Sequence, residues 1–102
     1  MNIQVLKIES NSENQWSVKL LIGQHEAIYP FTQEEVMIAD RPVVGIVSDP
    51  TFRKFFKFNQ HIISKITRLL VQKVNGESIE FPVEVGHFLT PNQAPEKVLL
   101  AE

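Results

Sequence analysis

The sequence predicts an α+β domain: a small antiparallel sheet, made of an N-terminal meander plus a C-terminal strand, covered on one face by a long amphipathic helix. Three observations support this prediction. Residues 15–31 alternate apolar and polar side chains on both sides of a two-residue turn, residues 50–75 repeat apolar residues at helical spacing, and residues 77–85 alternate again. An antiparallel sheet with one apolar face needs such a helix to bury that face.

Length and composition indicate one domain of ordinary make-up. The chain has 102 residues, of which 43% are hydrophobic, which is enough for a single core. We expect residues 1–90 to form this domain and residues 91–102 to form a C-terminal tail, for which a flexible segment is one option. The chain has no cysteine, which excludes disulfides and thiolate nucleophiles. Its first residues lack the pattern of a signal peptide, so we expect a cytoplasmic protein.

The first strand is predicted over residues 2–9. Ile3 and Val5 alternate on one face, whereas Leu6 and Ile8 fall on the other face. Either both faces of this strand are covered, or its register bends midway. A polar turn follows over residues 11–14.

A β-hairpin is predicted around Gly23-Gln24, because a type II′ turn favours glycine at its first central position. Pairing outward from this turn places apolar side chains together on one face. The expected pairs are Ile22 with His25, Leu20 with Ala27, Val18 with Tyr29, and Trp16 with Phe31. Turn chemistry and apolar pattern therefore agree on the same register.

A short helix is predicted over residues 33–39. Thr32 and Glu35 have the spacing of a capping box, with Phe31 and Val36 as its hydrophobic staple. Pro42 would then limit the helix. The apolar run over residues 43–47 fits either a strand or another helical turn, because periodicity does not separate the two.

One long or once-broken helix is predicted over residues 49–76. Asp49 suits the N-cap, Pro50 suits the first helical position, and Asn75-Gly76 is a typical helix stop. Asn59 lies among the apolar positions and marks a candidate break. Asn-Gly is also a hairpin signal, so residues 70–74 have strand as an alternative; we favour helix because the apolar stripe continues to Val74.

The last strand is predicted over residues 77–85. Ile79, Phe81, Val83 and Val85 share one face. Pro82 cannot donate a ladder hydrogen bond, which indicates an edge strand. A loop with two prolines is expected over residues 86–95.

Charge is distributed unevenly along the chain. Residues 50–75 contain six Lys or Arg and no Asp or Glu, so the remaining four basic and twelve acidic residues give a charge of −8 outside the helix. Helical spacing places the basic residues on one side of the helix. The candidate binding residues are Arg53, Lys54, Lys57, Phe58, His61, Lys65 and Arg68.

The basic helix face predicts a small non-enzymatic protein-interaction module, with homodimerisation among its possibilities. Its expected partner is an acidic protein surface or a second copy of the chain. The alternative is a nucleic-acid-associated protein that uses the same residues on phosphates, and the simplest interpretation is a solvated face balanced by acids such as Glu80 and Glu84. No motif predicts catalysis, a cofactor or a metal, and no apolar run is long enough for a membrane span.

Overall fold

Five strands form one antiparallel sheet in the computed structural model, which describes residues 1–89. The elements are β1 (Asn2–Ser12), β2 (Gln15–Ile22), β3 (His25–Ile38), β4 (Arg41–Ser48), α1 (Pro50–Phe55), α2 (Gln60–Val74) and β5 (Val83–His87). Their order in the sheet is β4-β3-β2-β1-β5. The predicted α+β class with an antiparallel sheet is confirmed. The predicted tail, residues 91–102, lies outside the described residues.

β1 bends where its sequence pattern changes face. Its register with β2 shifts between Val5 and Lys7, which is a β-bulge. Ile3, Val5 and Ile8 are consequently all buried, although simple alternation would put Ile8 on the opposite face. Of the two interpretations of this strand, the bend midway is the one observed. The strand also extends beyond the predicted end, to Ser12.

The predicted hairpin is confirmed residue by residue. β2 and β3 pair Ile22 with His25, Leu20 with Ala27, Val18 with Tyr29, and Trp16 with Phe31. Gly23 has φ +63°, as its turn position requires. The indole N–H of Trp16 donates a 2.9 Å hydrogen bond to the Gln33 side chain, which places Gln33 on the same face.

The predicted helix over residues 33–39 is wrong, because β3 continues through this segment to Ile38. Ala39 and Asp40, at φ +50° and +64°, form a two-residue turn that leads directly into β4. Val36 then pairs with Val43, so β-branched side chains meet across the strands. A capping box is a local signal, and the strand pairing outweighs it here. For residues 43–47, strand is the correct alternative.

The segment predicted as one long or once-broken helix forms two helices, of six and 15 residues, so the once-broken alternative is correct and one continuous helix is wrong. The break falls at Asn59, the residue that marked it in the sequence. The Asp49 carboxylate accepts a 3.1 Å hydrogen bond from the Phe52 N–H and caps α1 as predicted.

The end of α2 follows the predicted Asn-Gly stop. The Gly76 N–H donates to the Lys73 carbonyl and the Glu77 N–H donates to the Gln72 carbonyl, both at 3.0 Å. These two bonds form a Schellman motif. Residues 70–74 are therefore helical, and the hairpin alternative is excluded.

The core lies between the sheet and the two helices. α2 buries Ile62, Ile66 and Leu70 in the same cluster as the apolar residues of β1 and β2. Phe52 of α1 and Phe56, the C-cap of that helix, are also fully buried. The Phe52 ring packs edge-on against Phe31 and Tyr29, with ring centroids 4.9 and 5.2 Å apart.

The last strand begins later than predicted. β5 spans only Val83–His87, and residues 77–82 are not part of the sheet, so the prediction for that segment is wrong. Pro82 immediately precedes the strand and supplies no N–H to it. The predicted edge position is correct, because β5 pairs only with β1.

Candidate functional site

An open groove of about 340 Å³ lies between the helices and β4. It is lined by Phe31, Ile46, Val47, Ser48, Arg53, Lys57, Gln60, Ile63 and Thr67. We call it the basic groove. The turn between β4 and α1 brings these elements together, and Asp49 fixes the first turn of α1 so that Arg53 follows one turn later.

Charge in the basic groove has one sign. Arg53 and Lys57 are exposed, and no Asp or Glu lines the groove. The salt bridges found within residues 1–89 join Lys7 to Glu9 and Lys19 to Glu26. Neither cation of the basic groove is therefore neutralised by a carboxylate in this part of the chain, which leaves both free to contact an anionic group.

The predicted row of basic residues is divided between two sites. Lys65 and Arg68 line a separate depression of about 190 Å³ on the β5 side, together with Glu84. We call it the β5 depression. The break at Asn59 separates α1 from α2, so helical spacing does not continue from Lys57 to Lys65. Asn59 marked a candidate break in the sequence, but the sequence did not show that the basic residues on its two sides line different depressions.

The other candidate residues lie outside both depressions. Lys54 is exposed on α1. Phe58 is 37% exposed, and the Lys57 ammonium lies 5.5 Å from the centre of its ring, which is cation–π distance. The Nε2 atom of His61 lies 3.2 Å from the His87 carbonyl oxygen, to which it can donate, so its ring contacts β5.

Sequence analysis missed a second groove, of about 210 Å³, at the other end of β4. It is lined by Asn14, Gln33, Glu34, Glu35, Pro42, Val43 and Val44 and contains no Lys or Arg. We call it the acidic groove. The prediction of a helix over residues 33–39 concealed it, because a helix would have separated these glutamates from β4.

Sequence analysis also missed an aliphatic stripe on the face of the sheet away from the helices. Ile28, Val36, Ile38, Val43 and Val47 are its members, and all are exposed. The register of β3 with β4 places them on the face opposite Phe31. Alternation from Val36 to Ile38 is the signal that would have revealed the stripe.

Ionisable chemistry in the described residues is limited. Burial raises the pKa of Tyr29 above its usual value of 10.0, and the nearby Asp49 charge adds to the effect. No three His, Asp or Glu side chains of residues 1–89 come close enough together to hold a metal ion. Among the same residues, no helix has the length and apolar character needed to cross a membrane.

Comparison with known proteins identified no relative of this chain. No protein-family model matches the sequence, and no curated protein is similar enough to count as a match. The function of the grooves is therefore argued from their geometry and charge.

Proposed function

We propose that this protein is a non-enzymatic interaction module whose basic groove binds a carboxylate-bearing protein surface. The observation that carries the proposal is the pair Arg53 and Lys57, which line an open groove without any acidic residue. We expect the protein to act in the cytoplasm. A chain without cysteine forms no disulfide, so it is compatible with that reducing compartment.

The composition of the groove favours a protein partner. Ile46 and Ile63 supply apolar area beside the two cations, and Ser48, Gln60 and Thr67 supply polar groups. Protein interfaces combine an apolar centre with polar and charged groups in this way, and arginine is enriched in them. The guanidinium of Arg53 suits a carboxylate because it can donate two parallel hydrogen bonds.

A pull-down from host lysate tests the proposal. The native chain is compared with an Arg53→Glu/Lys57→Glu variant, each with and without nuclease. We expect the native chain to retain a protein partner that the variant loses, because glutamates in the groove repel carboxylates. Raising the salt concentration should weaken retention, since the contacts are exposed to solvent.

The matched control is a Lys65→Glu/Arg68→Glu variant, which makes the same charge change in the β5 depression. It should retain the partner. Equal retention by all three proteins would contradict the proposal. Nuclease-sensitive capture would instead support the alternative, in which the basic residues contact phosphates of a nucleic acid.

A further inference from the structure

β4 presents a row of backbone groups that point away from the sheet. The turn at Ala39-Asp40 joins Ile38 and Arg41 as a hydrogen-bonded pair. Hydrogen-bonded and non-hydrogen-bonded pairs alternate along an antiparallel ladder, so every second residue after Arg41 faces outward. The outward residues are Pro42, Val44, Ile46 and Ser48. Pro42 agrees with this assignment, because it has no N–H to give to β3.

These outward groups have no hydrogen-bond partner among residues 1–89. β4 is the last strand of the sheet on its side, and no loop or side chain of the described chain bonds to residues 42–48. An edge strand with free N–H and C=O groups is a template for another strand. Arg41 and Pro42 protect only the start of this edge, and the side chains from Val43 to Val47 carry no charge that would prevent pairing.

We propose that a second copy of this chain pairs with the edge, the two β4 strands running antiparallel about a two-fold axis at Gly45. The two five-stranded sheets then join into one continuous sheet. The inference rests on the proposed function, because it names the second copy as the acidic surface that the basic groove binds. Two-fold dimers are the commonest arrangement of identical subunits.

The axis at Gly45 follows from the outward residues. It pairs Val44 of one copy with Ile46 of the other, and Pro42 with Ser48. Every outward residue of β4 therefore has a pairing partner in the second copy. Moving the axis to residue 44 or 46 leaves an outward residue unpaired at each end. On the opposite face, the same register places Val43 against Val47 of the second copy, a favourable pair of β-branched side chains.

Charge complementarity supports the same arrangement. The basic groove lies at the Ile46–Ser48 end of β4, and the acidic groove lies at the Pro42–Val44 end. Antiparallel pairing reverses one strand relative to the other, so each basic groove meets the acidic groove of the second copy. The register also places Arg41 across from the position of Asp49 in the second copy. Opposite charges therefore meet at both ends of the joined strands.

A cysteine at the axis tests the pairing. The chain has no cysteine, so Gly45→Cys introduces a unique thiol. Gly45 pairs with itself as a non-hydrogen-bonded pair, in which Cα atoms lie about 4.5 Å apart, within the range of a disulfide. A Cβ at this position meets only Val36 Cγ2 closely, at 3.1 Å, and that methyl belongs to an exposed side chain.

We expect Gly45→Cys to form a disulfide-linked dimer under mild oxidation. The matched control, Ile28→Cys, is 65% exposed on β3, away from the edge, and should stay mostly uncrosslinked. The native chain should sediment as a dimer that dissociates on dilution. Equal crosslinking of the two variants, or a native chain that is still monomeric at about 1 mM, would overturn the inference.

Charge reversal tests the contact between grooves. Arg53→Glu/Lys57→Glu places acids opposite the acidic groove, and Glu35→Lys, on the same face of β3 as Phe31, places a base opposite the basic groove. For each variant alone, the dissociation constant of the dimer should be at least about tenfold higher than that of the native dimer. An equimolar mixture should recover dimers, because both groove contacts in the mixed pair are again of opposite charge.

The two experiments separate the inference from the proposed function. Crosslinking at Gly45 with no effect of charge reversal would support the strand pairing and contradict binding by the basic groove. Charge-dependent dimers without crosslinking at Gly45 would support the groove and overturn the strand pairing. A monomer that still binds an acidic partner through Arg53 and Lys57 would overturn the second copy as the partner and leave the proposed function standing.

Discussion

The sheet ends in β5 on one side and in β4 on the other, and the two edge strands differ in their backbone partners. At the β5 edge, the Asn59 side chain donates to the Leu89 carbonyl at 3.0 Å and accepts from the Leu89 N–H at 2.7 Å. The His61 Nε2 atom also lies 3.2 Å from the His87 carbonyl oxygen. At the β4 edge, no such bonds occur within residues 1–89.

The charges beside the two edges differ as well. Lys65 and Arg68 share the β5 depression with Glu84, whereas Arg53 and Lys57 line the basic groove with no acid. The contact surface that we propose is therefore on the β4 side, where exposed charges of one sign lie beside a strand that is unpaired on its outer side within residues 1–89. The comparison shows that similar basic residues lie in different surroundings, according to the strand edge that each one faces.

The largest expected effect on stability comes from removing the Asn59 side chain, which bonds to the backbone beside β5. Asn59 is 1% exposed, and Asn59→Ala leaves the Leu89 N–H and carbonyl without their partner. We expect the free energy of unfolding to fall by about 2–4 kcal/mol, measured by urea denaturation. Hydrogen exchange at the Val85 amide should become faster, because the end of β5 loses one of its attachments to the helical segment.

The control for this prediction is Ser64→Ala on the exposed side of α2, which should change stability by less than about 0.5 kcal/mol. Equal stability of Asn59→Ala and the native chain would contradict the view that Asn59 closes the β5 edge.

A second prediction compares one glycine from each edge strand. Gly86 in β5 has φ +135°, and a Cβ there would lie 3.1 Å from His61 Cδ2. Gly86→Ala should therefore lower the free energy of unfolding by about 1–3 kcal/mol. Gly45→Ala in β4 should change it by less than about 1 kcal/mol, because its φ is ordinary and the exposed Val36 can move. Thermal unfolding of both variants checks the difference, and a larger loss for Gly45→Ala would contradict it.

The smallest effect concerns Tyr29, which packs against α1 on the β4 side of the molecule. Tyr29 is the only tyrosine, so ultraviolet absorbance of tyrosinate reports its titration directly. We expect a pKa above 10.0, because burial disfavours the phenolate and the Asp49 charge disfavours it further. Asp49→Asn keeps an N-cap of equal quality and removes the charge, so the pKa should fall part of the way toward 10.0.

The sign of the linked stability change follows from the direction of this shift. The folded-state pKa of Tyr29 lies above its unfolded-state value near 10.0, so the stabilisation is fully present below that value. It is lost as the pH rises through the folded-state pKa. Tyr29→Phe should remove this part of the pH dependence, and a native titration at or below 10.0 would contradict the prediction.

Most local features of the fold could be predicted from the sequence. Gly23-Gln24 determines the hairpin register because the turn and the alternating pattern on both sides agree. The Asp49 cap, the Asn75-Gly76 stop and the break at Asn59 are each determined by side chains within one or two turns of the helix. Such interactions join neighbours in sequence, so composition and spacing are enough to reveal them.

Tertiary structure decided the features that depend on distant partners. Residues 33–38 have the signals of a helix start, and only pairing with β4 makes them a strand. The division of the basic residues depends on how the helical segment lies across one face of the sheet, with Arg53 and Lys57 toward β4 and Lys65 and Arg68 toward β5. Helical spacing alone does not show this placement.

By itself, then, the sequence determined the hairpin, the helix ends and the basic character of the helices, because each rests on contacts between near neighbours. Only the tertiary structure decided that β4 is an edge strand, unpaired on its outer side within residues 1–89, with a basic groove at one end and an acidic groove at the other. The physical reason is that an edge is defined by the strand that is missing beside it, and strand order arises from long-range pairing.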